Sequence, residues 1–88
     1  MTKDEINQKR ILGNKILKAV YQHGKLNVEQ IAGNINLHPN DIINELDRLD
    51  DANLLKPIYT SIKGIPNYVL TNKGTQTVHK HLTGVLYV

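Results

Sequence analysis

The N-terminal part of the chain carries apolar residues at the spacing of an α-helix. These positions are Ile6, Ile11, Leu12, Ile16, Leu17, Ala19 and Val20. Because they recur three and four residues apart, they predict a long amphipathic helix. Thr2 and Glu5 have the spacing of a capping box at its start. We expect the helix to end near His23, since Gly24 can adopt the left-handed conformation that stops a helix.

The following segment predicts a second, shorter helix. Asn27 and Gln30 form a capping box for a helix over about 28–34, and a very short strand precedes it. Asn36 tolerates a left-handed turn that would otherwise call for glycine. After this turn, Leu37 is expected to point inward.

A third helix is predicted immediately after the turn. His38 occupies the N-cap position, and Pro39 the first helical position, where its missing N–H costs nothing. The apolar stripe of this helix consists of Ile42, Leu46 and Leu49, with Ile43 beside it. Asn53 can end the helix in the left-handed conformation. Two helices joined by a tight turn have the pattern of a helix-turn-helix.

The C-terminal third predicts a β-hairpin and a last helix. Residues 54–60 and 67–70 are rich in β-branched, aromatic and aliphatic side chains, and the loop between them contains a glycine. Pro57 and Pro66 cannot donate to a strand ladder, so they should lie at a sheet edge or at a strand end. Thr71 can cap a helix that is followed by a glycine and an apolar tail.

Length and composition limit the possible functions. With 88 residues the chain is expected to form one domain, which is short for an enzyme with its own substrate cleft. The absence of cysteine excludes disulfides and thiolate metal sites. No signal-like or membrane-spanning apolar run is present, so a cytoplasmic protein is expected. The formal charge of +3 mildly favours a polyanionic partner.

The element order is that of a winged helix domain, and two segments strengthen the resemblance. IAGNINLHPNDIINELDRLDDANLL, residues 31–55, is similar to the helix-turn-helix of bacterial and archaeal winged helix transcriptional regulators. YVLTNKG, residues 68–74, resembles the Y-x-L-T-x-K-G that closes the wing in the MarR, PadR and ArsR-like groups. The resemblance implies an α+β, mainly α fold, with a three-helix bundle, a β-hairpin wing and a C-terminal helix. The expected single domain covers residues 1–88. Within it, the helix-turn-helix is expected over about 28–52, the wing over about 54–70 and the last helix over about 72–82.

The resemblance also implies binding to double-stranded DNA, with the third helix in the major groove. The side chains expected to reach base edges are Asn40, Asp41, Asn44, Asp47 and Arg48, with Ile43 beside them, and His38 at the helix start is a further expected DNA-binding residue. Phosphate contacts are expected from Lys25, Lys56, Lys63 and Lys73, and from the exposed amides at helix starts. Lys63, at the wing tip, is equally compatible with an ordinary loop that a lysine keeps soluble.

The charge of the third helix conflicts with this function. It carries Asp41, Glu45, Asp47, Asp50 and Asp51 against a single base, Arg48. In one interpretation these charges form a solvated face, on which Glu45 and Arg48 pair at three-residue spacing. In the other, the chain is a protein-interaction module that uses the acidic helix as its docking face. Because the helix-turn-helix and the wing are typical of DNA-binding proteins, we favour a DNA-binding regulator. The interaction module remains the alternative.

The sequence favours neither a metal site nor an enzyme. His79 and His81 lie about 200° apart on a helix, so they cannot bind one ion together. His23 and His38 come without cysteine or a nearby set of acidic ligands. No nucleophile motif or glycine-rich phosphate loop is present, so we expect no cofactor and no catalysis.

The apolar first helix and the apolar tail indicate a homodimer. Together they offer more apolar surface than a monomer of this fold would bury. The expected interface consists of Ile6, Ile11, Leu82, Val85, Leu86 and Tyr87. The alternative is that the tail folds back over its own core.

Overall fold

The computed structural model describes residues 3–59 and 64–83, and the side chains of 11–59 and 64–80 within them. The elements are α1 Lys3–His23, β1 Leu26–Asn27, α2 Val28–Ile35, α3 Pro39–Asp51, β2 Leu55–Ile58, β3 Asn67–Leu70 and α4 Asn72–Thr77, followed by a π-helical segment, Val78–Thr83. This is the order predicted from the sequence, with bounds that differ by at most two residues. None of the described helices combines the length and hydropathy that a membrane span requires.

Helix α1 supplies one wall of the core and ends where the sequence predicts. Ile16, Leu17 and Val20 are almost completely buried. Gly24 has φ +85°, and its N–H donates to the carbonyl of Val20 at 2.8 Å. This closes the helix at a residue that adopts the left-handed conformation without a steric penalty. The predicted capping box of Thr2 and Glu5 lies outside the described part, because Thr2 and the Glu5 side chain are not described.

The local signals around α2 are confirmed. The Asn27 side chain accepts from the Gln30 N–H at 2.8 Å, and the Gln30 side chain accepts from the Asn27 N–H at 2.9 Å. This reciprocal pair satisfies two amides that the helix start leaves without partners. At the other end, Asn36 has φ +64°, so it makes the left-handed turn into the next helix.

The prediction that Leu37 points inward is wrong, because this side chain is 41% exposed. Its backbone N–H donates to the carbonyl of Ala32 at 2.9 Å, which holds residue 37 against the end of α2 at the surface. Ile31 and Ile42 are fully buried and fill the core beside the turn. Beside this turn, the core is therefore filled by side chains of α2 and α3 rather than by Leu37.

Helix α3 has the predicted caps and the predicted buried stripe. The His38 Nδ1 accepts from the Asn40 N–H at 3.1 Å, and Pro39 occupies the first helical position. The buried apolar side chains are Ile42, Leu46 and Leu49. Asn53 has φ +62° just beyond the helix, as its position suggested. The helix-turn-helix is therefore set largely by local capping and by one apolar stripe.

The three strands form one antiparallel sheet in the order β1-β3-β2. Tyr68 of β3 pairs with Leu26 on one side and with Pro57 on the other. Because β2 is an edge strand, Pro57 lies where a missing N–H is tolerated, as predicted. The β2–β3 hairpin is the wing, and its tip at residues 60–63 lies outside the described part.

Helix α4 approaches the end of α3 closely at Gly74. A Cβ on Gly74 would lie 2.1 Å from the backbone oxygen of Leu54, a distance that no real contact allows. The hydroxyl of Thr71 accepts from the Gly74 N–H at 2.9 Å and donates to the carbonyl of Asn53 at 2.6 Å. The threonine and glycine of the YVLTNKG segment therefore join the wing to the helix-turn-helix.

The last helix differs from the regular helix predicted over about 72–82. Its extent is close to the prediction, but the backbone changes from α to π at Val78. Val78 is fully buried in the core cluster together with side chains of α1, α2, α3 and β2. Each such buried aliphatic side chain contributes roughly 1.5–3 kcal/mol to folding.

Candidate nucleic-acid interface

The outer face of α3 presents polar side chains away from the core stripe. Asn40, Asn44, Asp47 and Asp51 recur three and four residues apart, so they lie on one face opposite Ile42, Leu46 and Leu49. All four are exposed, as are the predicted base-reading residues Asp41 and Ile43. The two asparagines lie in the N-terminal half of the helix, the half that enters the major groove in related folds.

Arg48 is held by an ion pair at the edge of this face. Its Nε donates to the Glu45 Oε1 at 2.9 Å, and its Nη2 donates to the Glu45 Oε2. The predicted pairing of these residues is confirmed, but Glu45 does not belong to a solvated face, because it is only 6% exposed. The hydrogen bond to Glu45 raises the pKa of Arg48 despite the opposing desolvation.

Gly13 explains why this carboxylate is buried. A Cβ on Gly13 would lie 2.7 Å from the Glu45 Oε2 and 3.1 Å from the Arg48 Nη2. Helix α1 therefore crosses directly over the ion pair, and a larger residue at position 13 would require the ends of the Glu45 and Arg48 side chains to shift. Arg48 keeps 52% of its side chain exposed, so part of the guanidinium faces solvent while its orientation is fixed.

The predicted phosphate-binding lysines lie in different environments. Lys25 and Lys56 are exposed, one just before β1 and the other on β2. Lys73 donates from its Nζ to the carbonyl of Ala52 at 3.1 Å. It thereby caps the C-terminal end of α3, where a cation also interacts favourably with the helix dipole. Lys63 lies outside the described residues.

The other edge of α3 carries Asp47 and Asp50, whose charges act on Tyr68, a residue that the sequence analysis did not single out. Burial raises the pKa of the Tyr68 phenol, and the nearby charges of Asp47 and Asp50 and the phenol of Tyr59 raise it further. Tyr59 is 67% exposed. The alternation of side chains along β3 could have indicated a tyrosine facing α3, but only the packing of the wing on the helix brings these groups together.

The remaining predicted residues are only partly described. His38 is exposed, and its Nδ1 is used in capping α3. Ile11, in the expected dimer interface, is 53% exposed. The side chains of the other interface residues, Ile6, Leu82, Val85, Leu86 and Tyr87, lie outside the described part.

Two histidines make contacts that do not involve a metal. The His23 Nε2 lies 3.1 Å from the Asn34 Oδ1. His79 lies edge-on to Tyr21, with ring centroids 5.2 Å apart and an angle of 87° between the rings. Among the described residues, no group of three or more His, Cys, Asp or Glu side chains could hold a metal ion.

Several solved structures have the same fold, and some of them are described as transcriptional regulators or repressors. The YusO protein from Bacillus subtilis superimposes with a TM-score of 0.79 at 22% identity, over 96% of this chain and 62% of that chain. A MarR family transcriptional regulator from Silicibacter pomeroyi superimposes with a TM-score of 0.74 at 20% identity, over 85% of this chain and 50% of that chain. The AntR antimony-specific transcriptional repressor superimposes with a TM-score of 0.69 at 19% identity, over 98% of this chain and 84% of that chain.

These similarities confirm the predicted winged helix-turn-helix fold, and the identities are too low to carry more than the fold. The chain spans about half to three-fifths of the length of the first two proteins. No protein-family model and no curated protein sequence matches the chain.

Proposed function

We propose that this chain is a DNA-binding transcriptional regulator that acts in the cytoplasm and has no catalytic activity. The single observation that carries the proposal is the exposed polar face in the N-terminal half of α3, with Asn40 and Asn44 on it. Further support comes from the fold, because proteins described as transcriptional regulators or repressors share it.

In the proposed complex, α3 enters the major groove by its N-terminal half. The side-chain amides of Asn40 and Asn44 can each bond the N6 and N7 edge of an adenine. Ile43 can contact a thymine methyl group, and Asp41 can accept from the N4 amino group of cytosine. Arg48, oriented by Glu45, lies at the edge of this face, and its exposed donors can bond a guanine or a phosphate.

Lysines outside α3 would supply the phosphate contacts. Lys25, just before edge strand β1, and Lys56, on edge strand β2, are exposed, and Lys63 is the lysine of the wing tip expected from the sequence. Lys73 can contribute its charge, although its Nζ already caps α3. The first-turn amides of α3 do not add to these contacts, because Pro39 has no N–H and the N–H groups of Asn40 and Asp41 donate to His38.

A homodimer would double these contacts and read a palindromic site. Ile11 is exposed on α1, an apolar side chain that a partner copy could cover. The proposed interface also includes Ile6, Leu82, Val85, Leu86 and Tyr87.

A mobility-shift titration with genomic fragments at low and moderate salt tests this function. We expect a complex at micromolar protein that weakens as salt increases, because phosphate binding releases counterions. Asp47→Lys should tighten non-specific binding and steepen the slope of log K against log salt by about 0.9. Asp47→Asn serves as the matched variant that removes the charge without adding a cation. Absence of any salt-sensitive complex would contradict the proposal.

The second candidate function is a protein-interaction module that docks through α3. The observation that favours it is the set of exposed aspartates on α3, which includes Asp47, Asp50 and Asp51. It predicts that Asp47→Lys combined with Asp51→Lys abolishes capture of a basic protein partner. The DNA-binding proposal predicts that the same charge reversals strengthen binding to DNA.

A further inference from the structure

A groove of about 580 Å³ lies between α1 and the C-terminal half of α2. Lys15, Lys18 and Gln22 form its α1 wall, and their spacing of three and four residues places them along one stripe of the helix. Residues 33–36 form the opposite wall. None of the described residues that line the groove is acidic, so its charge comes from the two ammonium groups.

Both walls present hydrogen-bond donors. Asn34 is held in place, because its Nδ2 donates to the carbonyl of Gln30 at 3.2 Å and its Oδ1 lies 3.1 Å from the His23 Nε2. Its acceptor is therefore occupied, while one N–H of its amide remains available. Asn36 and Gln22 contribute further side-chain amides to the same groove.

Two features keep the groove open and positive. Gly33 has no side chain, and nothing lies within 4 Å of the position that its Cβ would occupy. Lys15 and Lys18 are exposed and form no ion pair within the part of the chain that the structure describes. Like charges one helical turn apart repel each other, so this arrangement costs stability unless an anion lies between them.

If the chain binds DNA, its phosphate contacts must come from a positively charged surface outside α3, because α3 itself is acidic. Five carboxylates and one guanidinium give α3 a formal charge of −4, so the rest of the chain, with a total of +3, carries +7. The groove ends at Asn36, two residues before His38 caps α3. It therefore borders the end of α3 that would enter the major groove.

We propose that this groove binds the phosphate backbone of DNA beside the major groove that α3 enters. This inference rests on the proposed function and adds to it the surface that compensates for the acidic helix. The ammonium groups of Lys15 and Lys18 neutralise phosphates, and the amides of Asn34 and Asn36 donate to phosphate oxygens.

The first experiment measures binding of a labelled random-sequence DNA duplex over a range of salt concentrations. The variant Lys15→Gln combined with Lys18→Gln should bind more weakly, with a slope of log K against log salt shallower by about 0.9 for each phosphate that the protein no longer neutralises. Lys80→Gln removes an exposed lysine outside the groove and should leave the slope unchanged.

The second experiment places a charge inside the groove. Gly33→Glu and Gly33→Gln are nearly the same size, both are good helix formers, and the site has room for either. We expect Gly33→Glu to weaken duplex binding several-fold relative to Gly33→Gln. Equal binding by these two variants would overturn the proposal.

A third measurement separates DNA from small anions. The amide resonances of residues 33–36 should shift on addition of the duplex, and inorganic phosphate at the same phosphate concentration should leave them in place. Shifts with inorganic phosphate alone would mark a small-anion site and overturn the proposal. If the wild-type protein binds no duplex, the proposed DNA-binding function is wrong. If the wild type binds the duplex and the double variant shows the same salt slope, only the proposal that the groove binds phosphates is wrong.

Discussion

Glu45 shows how one residue can be predicted correctly in its pairing and wrongly in its environment. The three-residue spacing to Arg48 is local and can be read from the sequence. Its burial depends on α1 crossing the ion pair at Gly13, and no local pattern records that crossing. A glycine inside a long helix, where it costs about 1 kcal/mol relative to alanine, is the signal that could have indicated a close approach.

The contact between Gly13 and Glu45 can be tested by a double-mutant cycle. Gly13→Ala should stabilise the protein by less than the roughly 1 kcal/mol of its better helix propensity, because the methyl group displaces the ends of the Glu45 and Arg48 side chains. In a Glu45→Ala background the same substitution has room and should stabilise the protein more. Urea denaturation measures all four proteins, and equal effects in both backgrounds would refute the contact.

Tyr68 provides a second test at the scale of one residue. Burial first, and the charges of Asp47 and Asp50 beside it, raise the pKa of its phenol above the ordinary value of about 10. Since the folded-state pKa is raised, the associated stability is present below about pH 10 and is lost as pH rises through the folded-state pKa.

An ultraviolet titration compared with Tyr68→Phe identifies this phenol. Asp47→Asn should lower its pKa without returning it to the ordinary value, because desolvation is the larger cause. Asp41→Asn, on the opposite edge of α3, serves as the control. An unchanged pKa in Asp47→Asn would place the carboxylate away from the phenol.

At the scale of elements, the sequence predicts well what neighbouring residues determine. The capping box at Asn27, the left-handed turns at Asn36 and Asn53, and the Pro39 start all act within a few residues, so their signals are local. The exposure of Leu37 and the change to a π-helix at Val78 depend on which side chains of other elements fill the core around them. Neither leaves a pattern in the surrounding sequence.

Two glycines in helices should respond in opposite ways to alanine. Gly74→Ala should destabilise the protein by roughly 1–3 kcal/mol, because the new Cβ collides with the backbone of Leu54, which cannot rotate away. Gly33→Ala should stabilise it by about 0.5–1 kcal/mol, since the site is open and helical. Chemical denaturation measures both changes. A similar effect at the two sites would contradict the close approach of α4 to the end of α3.

For the whole molecule, the fold could be predicted from the sequence more fully than the candidate interface. The apolar stripes and caps specify the helix-turn-helix and wing. The candidate interface depends on surfaces that several elements build together. The groove between Lys15 and Asn34 joins α1 and α2, and the surface around Tyr68 joins α3 and the wing. Residues distant in sequence contribute to each, so no motif contains them.

The homodimer makes a prediction at this scale. Ile11→Glu should shift the protein toward a monomer in sedimentation velocity, because a charge would enter an apolar interface. Tyr59→Ser changes an exposed aromatic residue on the wing side and should leave the assembly unchanged. A wild-type protein that sediments as a monomer at all concentrations would contradict the dimer.

The proposed function depends on whether the acidic α3 reads DNA bases through its two asparagines. The most direct test is an NMR titration of isotopically labelled protein with the duplex that the wild type selects from a randomised library. We predict that the side-chain amide resonances of Asn40 and Asn44 shift with this duplex and much less with a random one. If selection recovers no preferred sequence, or if these resonances stay in place while the duplex binds, α3 does not read DNA.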